Sequence, residues 1–363
     1  MRQFSELQFP IPLQGAPDSF FISANGYGGF RSHHTSFYES TQFTHTFVLK
    51  GGPGTGKSYT LRKAAEQAKQ QGAHCQYIYC SSDPGSLDGV ILEKGECRIA
   101  VLDGTAPHER DAVIPGAFDE IINLGAYWNT ESLMKQRDII ASLTKKKANA
   151  YQKAYRQLGV AGQLALEVEK EITTCLRMDK MQKNITKEIR ELHPSKNPGE
   201  EIRYRSAFSM RGTARFAPPE TAILLCLKDC FGTAGIYLSV FRRMLQKSSR
   251  FHYLCYPSVY TERIVESLYL PDNNLMILQD EDAVGRQINM HRFLDTGELA
   301  RKRPYMRLGE RLSNEMKVCA LASLQEAATY HFALEEIYGE SMNFKEKEHC
   351  TATLCEKISK MLK

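Results

Sequence analysis

No apolar run in the 363 residues approaches the ~20 needed to cross a bilayer. The first fifteen residues, MRQFSELQFPIPLQG, have no apolar core of the kind a secretory leader carries. A cytoplasmic protein without a membrane partner is therefore expected. The ten cysteines form no Cys-x-x-Cys pair and no Cys/His spacing of the zinc type, and Cys226-x3-Cys230 comes nearest to a cluster. Reduced, buried thiols follow for a chain in that compartment. Excess charge of one sign is also small, the net value being only +5. Lys145-Lys-Lys147 is too short for a basic stripe and reads as a solvated helix face, so nucleic acid is not an expected partner. Otherwise the composition, 42% hydrophobic and 25% charged, is that of a globular chain long enough for two domains.

What the chain does contain is "VLKGGPGTGKSYTL" at 48–61, in which Gly51–Ser58 matches G-x-x-x-x-G-K-[ST] in full. The run Thr44–Leu49 is β-branched and aromatic, which predicts a buried strand. Tyr59–Gln71 has the pattern of an amphipathic helix, closed by Gly72. Strand, glycine loop and helix are the context the motif needs. Glycine lets the backbone reach positive φ and come close to a polyphosphate, so that successive N–H groups and the helix N-terminus face the anion. Gly52, Pro53, Gly54, Thr55, Gly56, Lys57, Ser58 and Tyr59 are the expected nucleotide-binding residues. Lys57 reaches the β- and γ-phosphates, and Ser58 offers its hydroxyl to Mg2+. ATP and Mg2+ are the cofactors this implies.

A carboxylate for the metal is expected at the end of a neighbouring strand. Arg98-Ile-Ala-Val-Leu-Asp103 supplies it, making Ser58 and Asp103 the metal pair. Between them, His74–Cys80 reads as another strand, running into the loop Ser81–Asp88. Ligands of parallel α/β sheets lie beyond the carboxyl ends of strands. Ser81, Ser82, Asp83 and Asp88 therefore stand near the γ-phosphate or a second substrate, unless Asp83 merely closes a turn or caps a helix. Where many P-loop ATPases place a glutamate after the metal aspartate, this chain has Gly104. The candidates for handling water are Asp83, His108 and Glu109, so the expected catalytic set is Lys57, Asp83, Asp103 and His108.

Much of this recurs downstream. "CLKDCFGTAGIYL" at 226–238 follows Lys50-Gly-Gly-Pro-Gly-Thr loosely, with Ala234, Gly235 and Ile236 opposite Gly56, Lys57 and Ser58. His252-Tyr-Leu-Cys255 follows Tyr77-Ile-Tyr-Cys80, and Leu275–Asp280 follows the strand ending at Asp103. Phe332-Ala-Leu-Glu335 follows Leu164-Ala-Leu-Glu167. The shared order implies duplication, with a second loop unable to hold a triphosphate, and an intrachain pseudo-dimer of the two halves. Arg211, Arg215 and Arg286 are possible arginine donors to the first site, against the ordinary fate of a solvated arginine.

Each half ends in helix-forming sequence. Thr130–Leu158 reads as a long helix, Gly159 and Gly162 break it, and Gln163–Leu192 continues as one or two more. The C-terminal counterpart covers about 309–363. His193–Gly199 is the linker, which divides the chain into 1–195, an intact glycine-loop domain with a helical arm, and 200–363, a degenerate repeat with C-terminal helices. Asn25-Gly-Tyr-Gly-Gly29 is a tight turn or a loop near the base.

The segments "LKGGPGTGKS", "YCSSDPGSLDGVI" and "AVLDGTAPHERDAVIPGAFDEIINLG", with the duplicated layout, resemble an uncharacterised bacterial family of tandem P-loop ATPases. The resemblance is clearest over residues 20–130. It implies an α/β P-loop NTPase fold, a parallel sheet flanked by helices, duplicated and followed in each half by a helical arm. It also implies ATP binding, and it names no substrate. This chain departs from the family at Ala234, Gly235 and Ile236. The expected function is a Mg-dependent ATPase acting as a nucleotide-driven switch. The alternatives are a small-molecule or nucleotide kinase with its acceptor on the Ser81–Asp88 loop, and a non-hydrolysing ATP-binding scaffold. The arms leave open a protein partner or a small-molecule acceptor.

Overall fold

The apolar run ahead of the glycine loop is a strand buried on both faces, and it lies one place in from the edge of a six-stranded sheet. The computed structural model describes residues 18–107, 109–261, 263–280 and 284–363. The first half runs β1 (Ser19–Phe20), hairpin strands β2 (Ser23–Gly26) and β3 (Gly29–Ser32), α1 (His34–Phe37) and β4 (His45–Lys50). It continues through α2 (Lys57–Gln70), β5 (His74–Tyr79), β6 (Leu87–Lys94), β7 (Cys97–Asp103) and β8 (Asp119–Asn123). The first helical arm is α3 (Thr130–Lys135), α4 (Arg137–Thr174) and α5 (Met178–Arg190). The second half is β9 (Gly199–Ile202), β10 (Ser206–Ser209), β11 (Gly212–Arg215), β12 (Ile223–Lys228), α6 (Thr233–Ser248), β13 (His252–Pro257), β14 (Val265–Leu270), β15 (Leu275–Gln279) and β16 (Arg286–Asn289). Its arm is α7 (Thr296–Glu340) and α8 (Phe344–Met361).

The duplication is complete in topology. The first sheet has the order β1-β5-β6-β7-β4-β8 and the second β9-β13-β14-β15-β12-β16. Parallel and antiparallel pairings match strand for strand, and both sheets carry a bulge at the same place, Ile78/Tyr79 and Tyr256/Pro257. Each sheet is mixed, which corrects the parallel sheet expected from sequence. The reason is loop length: β6 and β7 are joined only by Gly95 and Glu96, far short of a crossover, so they must pair as a hairpin. Gly95 takes φ +58° in that turn. Strand β7 alternates Ile99 and Val101 into one core with Ala100 and Leu102 into the other. Helices cover the first of these faces, where Leu61, Ala64, Ala65 and Ala68 of α2 repeat at helical spacing.

The arms cross. Helix α7 has 45 residues, about 68 Å of rise, and lies antiparallel along the 38-residue α4. Ser313 donates to the Ala161 carbonyl at 2.9 Å, Ser323 to Gln157 Oε1 at 2.8 Å, and Lys302 pairs with Glu171 at 2.8 Å. Helix α4 runs unbroken through Gly159 and Gly162, contrary to the break expected there. The glycine serves a close approach instead: a Cβ on Gly162 would stand 2.3 Å from Cβ of Tyr27, at the tip of the β2–β3 hairpin. The chain then hands each terminal helix to the opposite half. Helix α5 packs on α6, with Tyr237 donating to Asn184 Oδ1 at 2.9 Å. Helix α8 packs on α2, with a buried Thr60–Thr351 hydroxyl pair at 3.1 Å. A cut between 195 and 200 separates the sheets, but it leaves α5 and α8 each packed across the cut.

Reciprocal hydrogen bonds tie the halves together. Phe21 and Tyr204 exchange two N–H···O bonds of 2.8 Å, while Tyr27 N–H donates to the Tyr260 carbonyl and Met210 N–H to the Ser82 carbonyl, both at 3.1 Å. Phe21, Phe216 and Tyr79 share one aromatic cluster across this seam. Among the described residues no helix is long and apolar enough to cross a membrane.

Candidate functional site

The glycine loop leaves β4 at Lys50 and enters α2 at Lys57. Gly54 (φ +72°) and Gly56 (φ +75°) hold left-handed conformations that a side chain would strain. Thr55 Oγ1 donates to the Gly52 carbonyl at 2.9 Å and pins the curl. Lys57 Nζ donates to the carbonyls of Gly51 (2.7 Å) and Gly52 (2.8 Å) and stands 3.6 Å from Asp103 Oδ2. Among the described residues, no protein atom accepts a hydrogen bond from the loop N–H groups between Gly52 and Ser58. Those donors converge at the positive end of α2, which is the geometry of an anion site.

Asp103 ends β7 beside the loop, its Oδ1 accepting from Thr105 N–H (2.9 Å) and Thr105 Oγ1 (2.6 Å). Burial pushes its carboxyl pKa above the usual value, Lys57 pulls it down, and the nearby charge of Asp88 pushes it up again. Ser58 Oγ accepts from Leu87 N–H at 3.0 Å. Lys57, Ser58 and Asp103 therefore stand together. Gly104 is obligatory as a glycine: a Cβ there would lie 2.4 Å from Val48 Cγ1 and 2.7 Å from the Arg110 carbonyl. No glutamate fits at the place next to Asp103.

Asp83 caps its own turn, Oδ1 facing Gly85 N–H (3.4 Å) and Oδ2 accepting from Ser86 Oγ (3.3 Å), and it pairs with Arg211 of the second half at 2.9 Å. Asp88 lies in strand β6 and not in a loop. Glu109 is exposed. His108 lies outside the described residues. Of the three arginines named from sequence, Arg211 reaches the first half, while Arg215 pairs with Glu266 and Arg286 with Glu188 in contacts away from the loop.

Several residues at the loop were not foreseen. A Cβ on Gly54 would meet the Glu335 carbonyl at 2.5 Å, so the end of α7 lies directly on the loop. Trp128, packed at a tilt against Tyr338 with ring centroids 5.3 Å apart, abuts Gly52. Lys147, read from sequence as solvated, is half-buried. Burial lowers its pKa, the Glu335 charge raises it, and the Lys57 charge lowers it. Glu335 is held down by its hydrogen bond to His331, with Lys57 and Lys147 adding to the effect. Residue type alone gives no sign of this, because the contact depends on arms that cross between halves. Tyr59 is 43% exposed and donates to Glu348 of α8 at 3.1 Å.

The second loop is built differently. Four residues, 229–232, join β12 to α6, against six, 51–56, in the first half. Gly232 (φ +80°) occupies the place of Gly56 as the left-handed residue before the helix. This shifts the sequence alignment: Thr233 stands at Lys57 and Ala234 at Ser58. Sheet register puts Gln279 opposite Leu227 where Asp103 is opposite Leu49, so Gln279, and not Asp280, matches the aspartate. Asp229 accepts N–H bonds from Gly232 (2.8 Å) and Ala234 (2.7 Å). The chain's own carboxylate sits where the first loop presents unpaired donors.

A family model described as Nephrocystin 3, N-terminal, matches residues 31–88. The matched stretch runs from β3 through the glycine loop and α2 to the start of β6. No curated protein and no solved structure matches the chain.

Proposed function

We propose that the first half is a P-loop NTPase domain that binds one magnesium nucleoside triphosphate, and that the protein is an ATPase whose crossed arms respond to the nucleotide. The observation carrying this reading is the set of unpaired N–H groups between Gly52 and Ser58, gathered around the Lys57 ammonium and the Asp103 carboxylate. A polyphosphate satisfies those donors, and its charge suits the helix end. Lys57 would exchange the carbonyls of Gly51 and Gly52 for phosphate oxygens. Ser58 and Asp103 offer the hard oxygen ligands that Mg2+ takes, and that ion would neutralise phosphate charge. The resemblance to tandem P-loop ATPases is clearest over this part of the chain. The second half, with Thr233, Ala234, Gln279 and the filled Asp229 position, serves as a partner that holds the arms.

Gly104 favours a second reading, a scaffold that binds ATP with little turnover, since the position after Asp103 admits no general base. Calorimetric titration with Mg-ATP, followed by phosphate release with and without added acceptors, separates these readings. Acceptor-independent release supports the ATPase, acceptor-dependent turnover a kinase, and binding alone the scaffold. Absence of binding to Mg-ATP and Mg-GTP removes the nucleotide site.

A further inference from the structure

We propose that Lys347, on the last helix α8, is a second phosphate-binding lysine of the glycine loop, delivered from the opposite arm. This rests on the nucleotide-binding reading of the loop. Lys347 is only 2% exposed. Its Nζ lies 4.2 Å from the centroid of the Tyr59 ring, and 3.2 Å from where a Cβ on Gly56 would stand. Among the described residues it has no carboxylate within ion-pair distance and donates no side-chain hydrogen bond. Its neighbour Glu348 is engaged with Tyr59 Oη. A buried ammonium is thus held against Gly56 at the positive end of α2, where burial and the helix dipole both oppose it. An arriving anion resolves that conflict.

The placement of α8 is tightly fixed. Trp128 and Met342 form a β-bridge, Asn343 N–H donates to the Tyr127 carbonyl at 2.9 Å, and Asn343 Oδ1 accepts from Glu346 N–H at the helix start. The duplication supplies an internal control. Leu294 and Leu176 repeat that bridge, and Arg177 N–H donating to the Phe293 carbonyl repeats the second bond. By this correspondence Lys347 matches Met181, which is fully buried in the hydrophobic core. The lysine stands at the loop with unpaired donors, and an apolar residue stands where Asp229 already supplies the anion.

Lys347 stands against Gly56 on the loop backbone, whereas Lys57 stands 3.6 Å from Asp103, so Lys347 is assigned to the phosphates shared by di- and triphosphates. The test titrates the full-length wild type, Lys347→Met and Lys347→Arg with Mg-ATP, Mg-ADP and Mg-GTP, alongside melting without nucleotide. Loss of one charge-assisted contact predicts about 10- to 100-fold weaker binding of ATP and ADP alike in Lys347→Met. Lys347→Arg should retain most of the affinity, and Lys347→Met should melt at or above the wild-type temperature without ligand. Equal affinity in wild type and Lys347→Met overturns the role of Lys347 alone. So does lost affinity accompanied by a lowered ligand-free melting temperature that Lys347→Arg fails to restore. A wild type that binds none of the three nucleotides removes the site and this proposal with it.

Discussion

The carboxylate of Asp229 accepts two N–H bonds at the start of α6, and its removal should have two separable effects. In Asp229→Ala the N–H groups of Gly232 and Ala234, now held at 2.8 and 2.7 Å, lose their acceptor. Capping contributions run about 0.5–2 kcal/mol, and charge at a helix N-terminus adds about 0.3–1 kcal/mol. A net loss of about 2 kcal/mol is expected, which lowers the melting temperature by about 4–8 °C for a cooperative unit of 150–250 residues. The vacated donors then accept an external anion. Inorganic phosphate at about ten times its Kd would return about 1.4 kcal/mol to the variant and nothing to the wild type at this loop. Asp229→Asn keeps one acceptor oxygen without the charge and should fall between. The assay is thermal melting of Asp229→Ala, Asp229→Asn and wild type over a phosphate series at constant ionic strength. To separate the first loop, each variant is also made with Lys57→Ala. If Asp229→Ala melts like wild type and its phosphate response is the same, the carboxylate is not standing in for an anion.

Lys57→Ala should lose Mg-nucleotide binding in calorimetry while its circular dichroism remains that of the wild type. Wild type should titrate with one nucleotide per chain, and two equal sites would contradict the account of Asp229. Gly104→Ala places a methyl 2.4 Å from Val48 Cγ1 and 2.7 Å from a backbone carbonyl, and should cost about 1–3 kcal/mol in denaturant unfolding. Lys147 gives a pH signature. Its depressed pKa means the folded chain holds this proton less tightly than the unfolded chain, so its charge destabilises below the folded value. That penalty is relieved as pH rises from there to the ordinary lysine value of 10.5. The groups facing it are Glu335 on α7 and Lys57 on α2. Lys147→Met should flatten stability across that alkaline window, as read by denaturant titration, and an unchanged slope would reject the assignment.

The parts legible in sequence were those that a few consecutive residues determine. Strand β4, the glycine loop and α2 follow from spacing and φ preferences within 44–72, and Asp103 follows from an apolar run ending in a carboxylate. The duplication was visible through repeated motifs, although the alignment slid by two residues because the second loop is shorter and only the left-handed Gly232 fixes its register. Strand β6 was missed because "LDGVILEK" begins inside a turn-like Ser81–Asp88 segment, and the hairpin partner that makes it a strand is decided by the two-residue Gly95–Glu96 turn. Gly159 and Gly162 read as breakers because helix propensity disfavours glycine, whereas packing of Tyr27 requires it. Lys147, Glu335 and Lys347 carry no local signal. Their place at the loop depends on which half each helix packs against, and that is a property of the whole chain.

The exchange of α5 and α8 makes the peptide link between the halves redundant. A protease cut within 193–199 would leave two fragments, each gripping the other through a helix docked on the foreign sheet layer and through the α4–α7 pair. Such fragments should co-elute and separate only under denaturing conditions. Evolution therefore holds an option here: a gene split at that point should still yield a heterodimer of the same architecture.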